Sequence, residues 1–319
     1  MSRAPRPPSI PLRDGVAPSC IALPQMRQVP WPLLLDFLAE RLPVLDRAAW
    51  QARMAAGEVV DEHNRPLHPA TPCRSGQRAY YWRQLPDEAP IPFQEQVLFR
   101  DDHLLVADKP HFLPVTPGGR YVRETLAVRL RHRLDLPDLS PLHRIDRETA
   151  GLVLFSIRAP DRDAYQRLFR ERRVEKTYEA IAPDAPALAW PQTRRSHILE
   201  DEQAFYRMRE ARADEGRTPN AETRIEPVER RGAWARYRLE PVTGQRHQLR
   251  VHLNALGLPI AGDQFYPRVR RGPDEPEDYR LPLQLLARAI AFTDPITGEP
   301  RRFESRLALD WSVAERDRG

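Results

Sequence analysis

The chain has 319 residues, of which 41% are hydrophobic, and its 50 basic and 45 acidic side chains leave a net charge of +5. This length suits one large domain, or a large domain and a small one. Lys109 and Lys176 are the two lysines, so 48 of the basic residues are arginines. Arginine binds phosphates in a bidentate manner and stacks on bases, although a GC-rich genome explains the same bias equally well.

Cysteine content and hydropathy exclude several classes of protein. Cys20 and Cys73 lie far apart and form neither a zinc pattern nor a disulfide framework, which fits a reducing cytoplasm. No apolar run approaches the roughly 18 residues that span a membrane, and the N-terminus lacks the apolar core of a signal peptide. We therefore expect a cytoplasmic protein with no membrane partner, in which the Pro- and Arg-rich residues 1–28 form a disordered tail.

Residues 29–88 predict a small separate module. Apolar residues recur at helical spacing from Leu34 until Pro43 ends the helix. Asp46 can cap a second helix, which Gly57 stops. Two short strands follow, at 58–61 and 78–85.

Residues 89–319 predict a larger α+β domain. Strand-like runs lie at 97–110, 151–156, 175–182, 234–242, 286–294 and 301–309, and helical patterns lie at 121–133, 160–169 and 245–257. Many strands with few helices between them favour a mixed, mostly antiparallel sheet. The polar stretch 200–222 is typical of an insertion.

The stretch HRIDRETAGLVLFS, residues 143–156, places charged residues directly before a buried strand. Asp146 lies between Arg144 and Arg147, whose positive charges favour its ionised form. An ionised carboxylate in a dry cleft can act as a nucleophile or a base. The alternative is a surface aspartate that caps a turn, and spacing alone favours that plainer interpretation.

Two further stretches combine polar side chains with regular structure. Tyr178, in EKTYEA, is either a core residue or a group that stacks on a base or donates its hydroxyl. The segment 241–266 brings Arg246, His247 and Arg250 to the start of a short helix, where Arg250 can point into a cleft and pair with a buried carboxylate. The histidines lack zinc spacing, and the chain has no phosphate-binding glycine loop.

In this order, HRIDRETAGLVLFS, EKTYEA and TGQRHQLRVHL with LGLPIAGDQFY resemble the motifs of RluA-type RNA pseudouridine synthases. The resemblance covers roughly residues 90–310, and it implies the α+β fold of that family. Residues 29–88 are similar, more distantly, to the αL-type RNA-binding module that often precedes this catalytic domain. We therefore expect a tail (1–28), an RNA-binding-like module (29–88) and a pseudouridine synthase domain (89–319).

The resemblance also implies roles for individual residues. Asp146 is the implied nucleophile, attacking the target uridine at the anomeric carbon or at carbon 6, with a glycal route also open. Tyr178 is expected to lie against the flipped base, and Arg250 to hold Asp146. The other expected RNA contacts are Arg144, which would enter the vacated space, and His143, Arg147, Thr149, Lys176, Arg246 and His247. The family needs no metal or other cofactor.

The RNA substrate and the oligomeric state are weaker expectations. Family members modify ribosomal or transfer RNA, and the N-terminal module favours ribosomal RNA. No pattern indicates a coiled coil or a large exposed apolar face, so we expect a monomer.

Two rival functions remain open on sequence alone. A non-catalytic RNA-binding protein of the same fold would keep the basic surface but could spare Asp146. A hydrolase of nucleosides or sugars needs two carboxylates flanking one bond. Glu148 is the nearest candidate, although at two residues from Asp146 it can face away. Release of free uracil would distinguish that hydrolase from an isomerase.

Overall fold

The computed structural model describes residues 7, 9–83, 88–204, 206–272, 275 and 277–317, and the chain divides into two units. The first unit holds residues 1–88, 118–123 and 128–137; the second holds residues 89–117, 124–127 and 138–319. Two short segments assigned to the larger domain on sequence alone therefore group with the first unit. Within the described ranges, no helix is long and apolar enough to span a membrane.

The first unit combines two short helices with a three-stranded sheet, and it also includes most of the later helix Leu126–Leu134. Its elements are β1 (Ser19–Ala22), α1 (Leu34–Arg41), α2 (Arg47–Ala55), β2 (Val59–Val60) and β3 (Arg78–Tyr81). Both β1 and β2 pair with β3 in antiparallel register. Asp46 caps α2 as predicted, because its side chain accepts a 2.7 Å hydrogen bond from the N–H of Ala49.

Strand β1 corrects the predicted extent of the disordered tail. Residues 19–22 pair with residues 78–81, so backbone hydrogen bonding orders this part of the 1–28 range. Its four residues, SCIA, carry too short a pattern to predict a strand from sequence. Residues 1–6 and 8 of the predicted tail lie outside the described residues.

The second unit is built on a ten-stranded sheet among the described residues. The strands after β3 are β4 (Gln96–Arg100), β5 (Leu104–Lys109), β6 (Ser140–Pro141), β7 (Ala150–Ser156), β8 (Glu175–Pro183), β9 (Gln192–Ser196), β10 (Ile198–Glu200), β11 (Met208–Glu210), β12 (Ala221–Arg231), β13 (Trp234–Pro241), β14 (Leu285–Thr293) and β15 (Pro300–Glu304). The main path runs β4-β5-β7-β14-β8-β13-β12-β9, with β6 paired to β7 and β15 to β14. Only the β7–β14 pair is parallel among these described pairs, so the predicted mixed, mostly antiparallel sheet is confirmed.

The helices after α2 are α3 (Leu126–Leu134), α4 (Arg162–Arg170), α5 (Gln248–Ala255) and α6 (Trp311–Arg316). The inward faces of α4 and α5 are buried at Tyr165, Leu168, Leu249 and Leu253. Helix α3 begins five residues later than predicted. The stretch 200–222, predicted as an insertion, contains the small antiparallel β10–β11 pair.

Strand register brings separate stretches of the chain together. Ala287 of β14 is the partner of Gly151 on one side and of Tyr178 on the other. Gly151 has a φ of +109°, and a Cβ there would lie 2.3 Å from the carbonyl oxygen of Ala287. Glycine therefore permits the close β7–β14 approach, which places the loop before β7 near Tyr178. Leu239 of β13 also pairs with Tyr178, and β13 leads into the turn before α5.

Candidate active site

The three charged stretches meet at a cavity of about 680 Å³ in the second unit. This volume lies within the range of about 300–1,000 Å³ that is typical of ligand sites. All ten site residues predicted from sequence line it: His143, Arg144, Asp146, Arg147, Thr149, Lys176, Tyr178, Arg246, His247 and Arg250.

Asp146 is the partly exposed carboxylate of this cavity. Its side chain retains 25% of its exposure, whereas the side chain of Arg250 is fully buried. The Nη1 of Arg250 donates to Oδ2 of Asp146 at 3.3 Å. His247 Nε2 lies 3.9 Å from the same oxygen. Asp146 is therefore exposed to the cavity, and on its buried side it accepts a hydrogen bond from the fully buried Arg250.

Arg250 is fixed by a second carboxylate, Asp263. Its Nε and Nη2 donate to the two oxygens of Asp263 at 2.9 and 2.7 Å, which is a bidentate pair between fully buried groups. Burial alone would lower the pKa of Arg250, but the charge and hydrogen bonds of Asp263 outweigh it, so the pKa is raised. Arg250 is consequently a permanent charge with one remaining nitrogen, Nη1, free to reach Asp146.

Glu148 shares that remaining nitrogen of Arg250. Its Oε2 lies 3.5 Å from Nη1, so Glu148 points towards the same guanidinium as Asp146 and does not face away from it. Arg147 Nε donates to Glu148 at 3.0 Å and also pairs with Glu277. Burial would raise the pKa of Glu148, but Arg147 and Arg250 outweigh this and lower it to about 2. Glu148 is therefore ionised at neutral pH.

Two side chains fix the backbone of the Asp146 loop. Lys109, which is fully buried, donates from Nζ to the carbonyl oxygen of Arg147 at 3.0 Å. Burial lowers its pKa to about 7. His111 lies 2.7 Å from the carbonyl oxygen of Glu148, and burial lowers its pKa to about 4, so the neutral ring donates there from Nδ1. These bonds anchor the two residues that follow Asp146.

Tyr178 lies on β8 facing the cavity. Burial, and then the negative charge of Asp146, raise the pKa of its hydroxyl, so the hydroxyl keeps its proton at neutral pH. The ring also packs against the core of the sheet, which holds it in place.

The hydrogen bonds of His247 define its tautomer. The hydroxyl of Tyr266 donates to the carbonyl of Met208 at 2.9 Å, so at 3.1 Å it accepts from Nδ1–H of His247. The pKa of His247 is lowered, chiefly by burial, and this favours the neutral ring. Its Nε2 is then a lone-pair acceptor on the cavity side. His247 has a φ of 54°, and its ring stacks on Phe265 with centroids 5.8 Å apart.

The side chains of the other predicted RNA contacts differ in their exposure and in their hydrogen bonds within the protein. His143 accepts from the N–H of Leu154 at 3.2 Å and stacks on Phe169, and burial lowers its pKa to about 3. Thr149 is buried. Arg144 is exposed at the cavity. Arg246 donates to the carbonyl of Tyr206 at 2.9 Å.

Sequence reasoning missed the supporting residues Asp263 and Lys109 and underrated Glu148. Asp263 lies in the quoted LGLPIAGDQFY segment, but its function appears only when Arg250 is placed beside it. Lys109 carried a weak signal, since a lysine inside an apolar strand must find partners. Within the described ranges, no group of three or more His, Cys, Asp or Glu side chains is arranged to hold a metal ion.

Comparison with known proteins identifies the family. Residues 103–255 match the family model described as RNA pseudouridylate synthase. An uncharacterized RNA pseudouridine synthase of Synechocystis is 31% identical over 235 residues, covering 73% of this chain and 79% of the relative. The dual-specificity RNA pseudouridine synthase RluA of Haemophilus influenzae is 33% identical over 226 residues, covering 66% and 92%.

Solved structures agree on the fold. Human RNA pseudouridylate synthase domain containing 4 has a TM-score of 0.53 at 25% identity, covering 69% of this chain and 92% of that one. Human RNA pseudouridylate synthase domain containing 1 has a TM-score of 0.56 at 24% identity, covering 69% and 86%. The predicted pseudouridine synthase fold is thereby confirmed. The chain belongs to the RluA-type family of RNA pseudouridine synthases, isomerases that act on uridine in RNA.

Proposed function

We propose that this chain, acting as a monomer, converts a uridine of ribosomal RNA, or alternatively of transfer RNA, to pseudouridine with Asp146 as the nucleophile. The observation that carries this proposal is the partly exposed carboxylate of Asp146, held at 3.3 Å by the fully buried Arg250.

The proposed reaction conserves every atom of the uridine. The target leaves its stack to enter the cavity, at a cost of a few kcal/mol. Asp146 attacks the anomeric carbon or carbon 6, and the N1 glycosidic bond breaks. The trapped uracil rotates and bonds to the anomeric carbon through carbon 5. This step displaces Asp146 if Asp146 had bonded to the anomeric carbon, and if it had bonded to carbon 6 it is eliminated afterwards. The proton on carbon 5 then leaves, N1 ends with a proton, and Asp146 is again a free carboxylate. Arg250 holds the attacking carboxylate of Asp146 in place through its 3.3 Å hydrogen bond.

We propose that Tyr178 provides the surface against which the base lies. Base–aromatic stacking is worth about 1–3 kcal/mol, and the ring of Tyr178 is held by the sheet core at the cavity wall. The neutral hydroxyl can act only as a weak donor or acceptor at neutral pH.

The charge state of Glu148 favours an isomerase over a glycoside-type hydrolase. Such a hydrolase needs one protonated carboxylic acid with a raised pKa beside an ionised carboxylate. The pKa of Glu148 is lowered to about 2, so it cannot supply the proton. Glu148 instead pairs with Arg250 and Arg147. This pairing suits a residue that supports the site beside Asp146 and does not transfer a proton.

We propose that the polar cavity wall contacts the RNA around the target. Arg144, Lys176, Arg246 and His247 present polar groups to the cavity, and Arg144 is the candidate to enter the space vacated by the base. His143, Arg147 and Thr149 line the same cavity, but the internal contacts of His143 and Arg147 favour shaping the pocket over direct recognition. We further propose that residues 29–88 assist RNA binding, as their resemblance to the αL-type module implies.

The proposal is tested by Asp146→Asn in the full-length protein. The variant should form no pseudouridine in ribosomal or transfer RNA yet bind the same RNA, because the amide keeps the shape and loses the nucleophile. Asp163→Asn, which changes an exposed carboxylate on α4, is the matched control and should keep normal turnover. Turnover by Asp146→Asn at the wild-type rate would end the nucleophile assignment, and release of free uracil by the wild type would favour the hydrolase.

A further inference from the structure

The turn between α4 and β8 contains an arginine in a backbone conformation that favours glycine. After α4 ends at Arg170, the N–H of Arg172 donates to the carbonyl of Phe169 at 3.2 Å, and that of Arg173 donates to the carbonyl of Leu168 at 2.8 Å. Arg172 has a φ of 56°. A side chain disfavours this left-handed region, and helices commonly end there with glycine. The local backbone conformation therefore does not explain why an arginine, and not a glycine, occupies position 172.

That side chain lies at the cavity beside Lys176. Both residues line the cavity, and the positive charge of Arg172 adds to burial in lowering the pKa of Lys176. Lys176 Nζ donates a 3.4 Å hydrogen bond to the carbonyl of Thr243, which places it over the turn before α5. Two cations four residues apart in the chain thus line the same cavity.

Neither cation has a carboxylate partner within the described part of the chain. Lys176 and Arg172 form no ion pair there, although ion pairs are frequent elsewhere on the same surface. The pKa of Glu222 is lowered chiefly by Arg195, with which it forms an ion pair at 3.0 Å, and the charge of Arg172 contributes less. Two adjacent like charges repel each other, and an anion bound between them would remove that repulsion.

We propose that Arg172 and Lys176 together bind one phosphodiester of the RNA next to the target uridine. The inference rests on the proposed function for the identity of the ligand, and it adds a specific contact that positions the backbone. A guanidinium can hold two phosphate oxygens and an ammonium can hold a third as a compact charge. The pair would therefore fix the RNA strand where it enters the cavity.

Arg172→Gly separates a binding role from a structural one. The change removes the cation and also supplies the residue that the left-handed backbone favours, so the melting temperature should stay equal or rise. Arg173→Ala is the matched control, because Arg173 is the next residue, is exposed, and pairs with Glu171 at 2.9 Å.

The probe is a fluorescent stem–loop RNA with uridines in its loop, titrated with full-length protein between about 50 and 200 mM KCl. For Arg172→Gly we expect an affinity loss of about tenfold at the lowest salt and a salt slope reduced by about 0.7–0.9, the value for one phosphate contact. Arg173→Ala should reproduce the wild-type slope. An unchanged slope and affinity in Arg172→Gly, or a lowered melting temperature, would overturn the proposal.

A double variant tests whether the two cations share one phosphate. Arg172→Gly combined with Lys176→Gln should lose less affinity than the sum of the single losses, because groups on one ligand are coupled. Additive losses would mean separate phosphates and would refute the shared site. Activity of Asp146→Asn would refute the proposed chemistry without changing these salt slopes, so the two failures are distinguishable.

Discussion

Replacing Arg250 with methionine should both destabilise the second unit and stop the reaction. Asp263 is 0% exposed and Glu148 is 5% exposed, so the variant leaves two buried carboxylates without their shared cation. Breaking a buried ion pair from one side costs about 3–5 kcal/mol, out of a total stability of about 5–15 kcal/mol. At about 2–4 °C per kcal/mol, the melting temperature should fall by about 6–20 °C.

The cause of that loss can be checked with pH and with a charge-conserving variant. Glu148 keeps its pair with Arg147, so Asp263 is the carboxylate left without a cation. Its protonation would remove the buried charge, so the deficit of Arg250→Met should shrink as pH falls from about 7 to 5. Arg250→Lys should recover part of the stability, but a point charge cannot hold Asp263 in a bidentate manner and reach Asp146 as well. Thermal denaturation followed by circular dichroism measures both. A deficit below about 2 °C, or one independent of pH, would refute this reasoning.

Three further changes test separate parts of the site. Glu148 has a folded pKa of about 2 against 4.5 unperturbed, so its ionisation stabilises the fold above about pH 4.5 and is lost as pH falls towards 2. Glu148→Gln should therefore flatten the decline of melting temperature between about pH 5 and 3, and an unchanged decline would contradict this. Gly151→Ala places a Cβ 2.3 Å from the oxygen of Ala287, so urea denaturation should show a loss of more than about 2 kcal/mol, and a wild-type midpoint would disprove the clash. Burial and the charge of Asp146 raise the pKa of the Tyr178 hydroxyl, so its ionisation should not cause the fall in rate at alkaline pH. Tyr178→Phe should therefore leave the alkaline limb of the pH–rate profile in place. Disappearance of that limb would show that Tyr178 is its source.

Local patterns were sufficient to predict the helices and most of the strands that carry the site, but they did not predict strands β9 and β12. The continuous apolar run of β7 reflects burial on both of its faces. The alternation in β13 and the helical spacing of Leu249 and Leu253 reflect burial on one face, which periodicity records. Helix α3 was predicted five residues too early, because Tyr121 and Val122 extend its apolar pattern into the irregular stretch before Leu126.

Contacts across the fold could not be predicted in the same way. Asp263 lies thirteen residues after Arg250, and its pairing depends on how the chain turns after α5. Glu148 and Asp146 reach one nitrogen of Arg250 because the loop between them is not a regular strand, so alternation misleads there. The strained backbone of Arg172 leaves no trace in composition or spacing.

The measurement that tests the central claim most directly is pseudouridine mapping of total RNA from cells with and without this gene. Chemical labelling that stops reverse transcription at pseudouridine locates each site. Deletion should remove at least one site, and expression of the wild type should restore it, while Asp146→Asn, made at the same level, should not. Restoration of the site by Asp146→Asn would contradict the account.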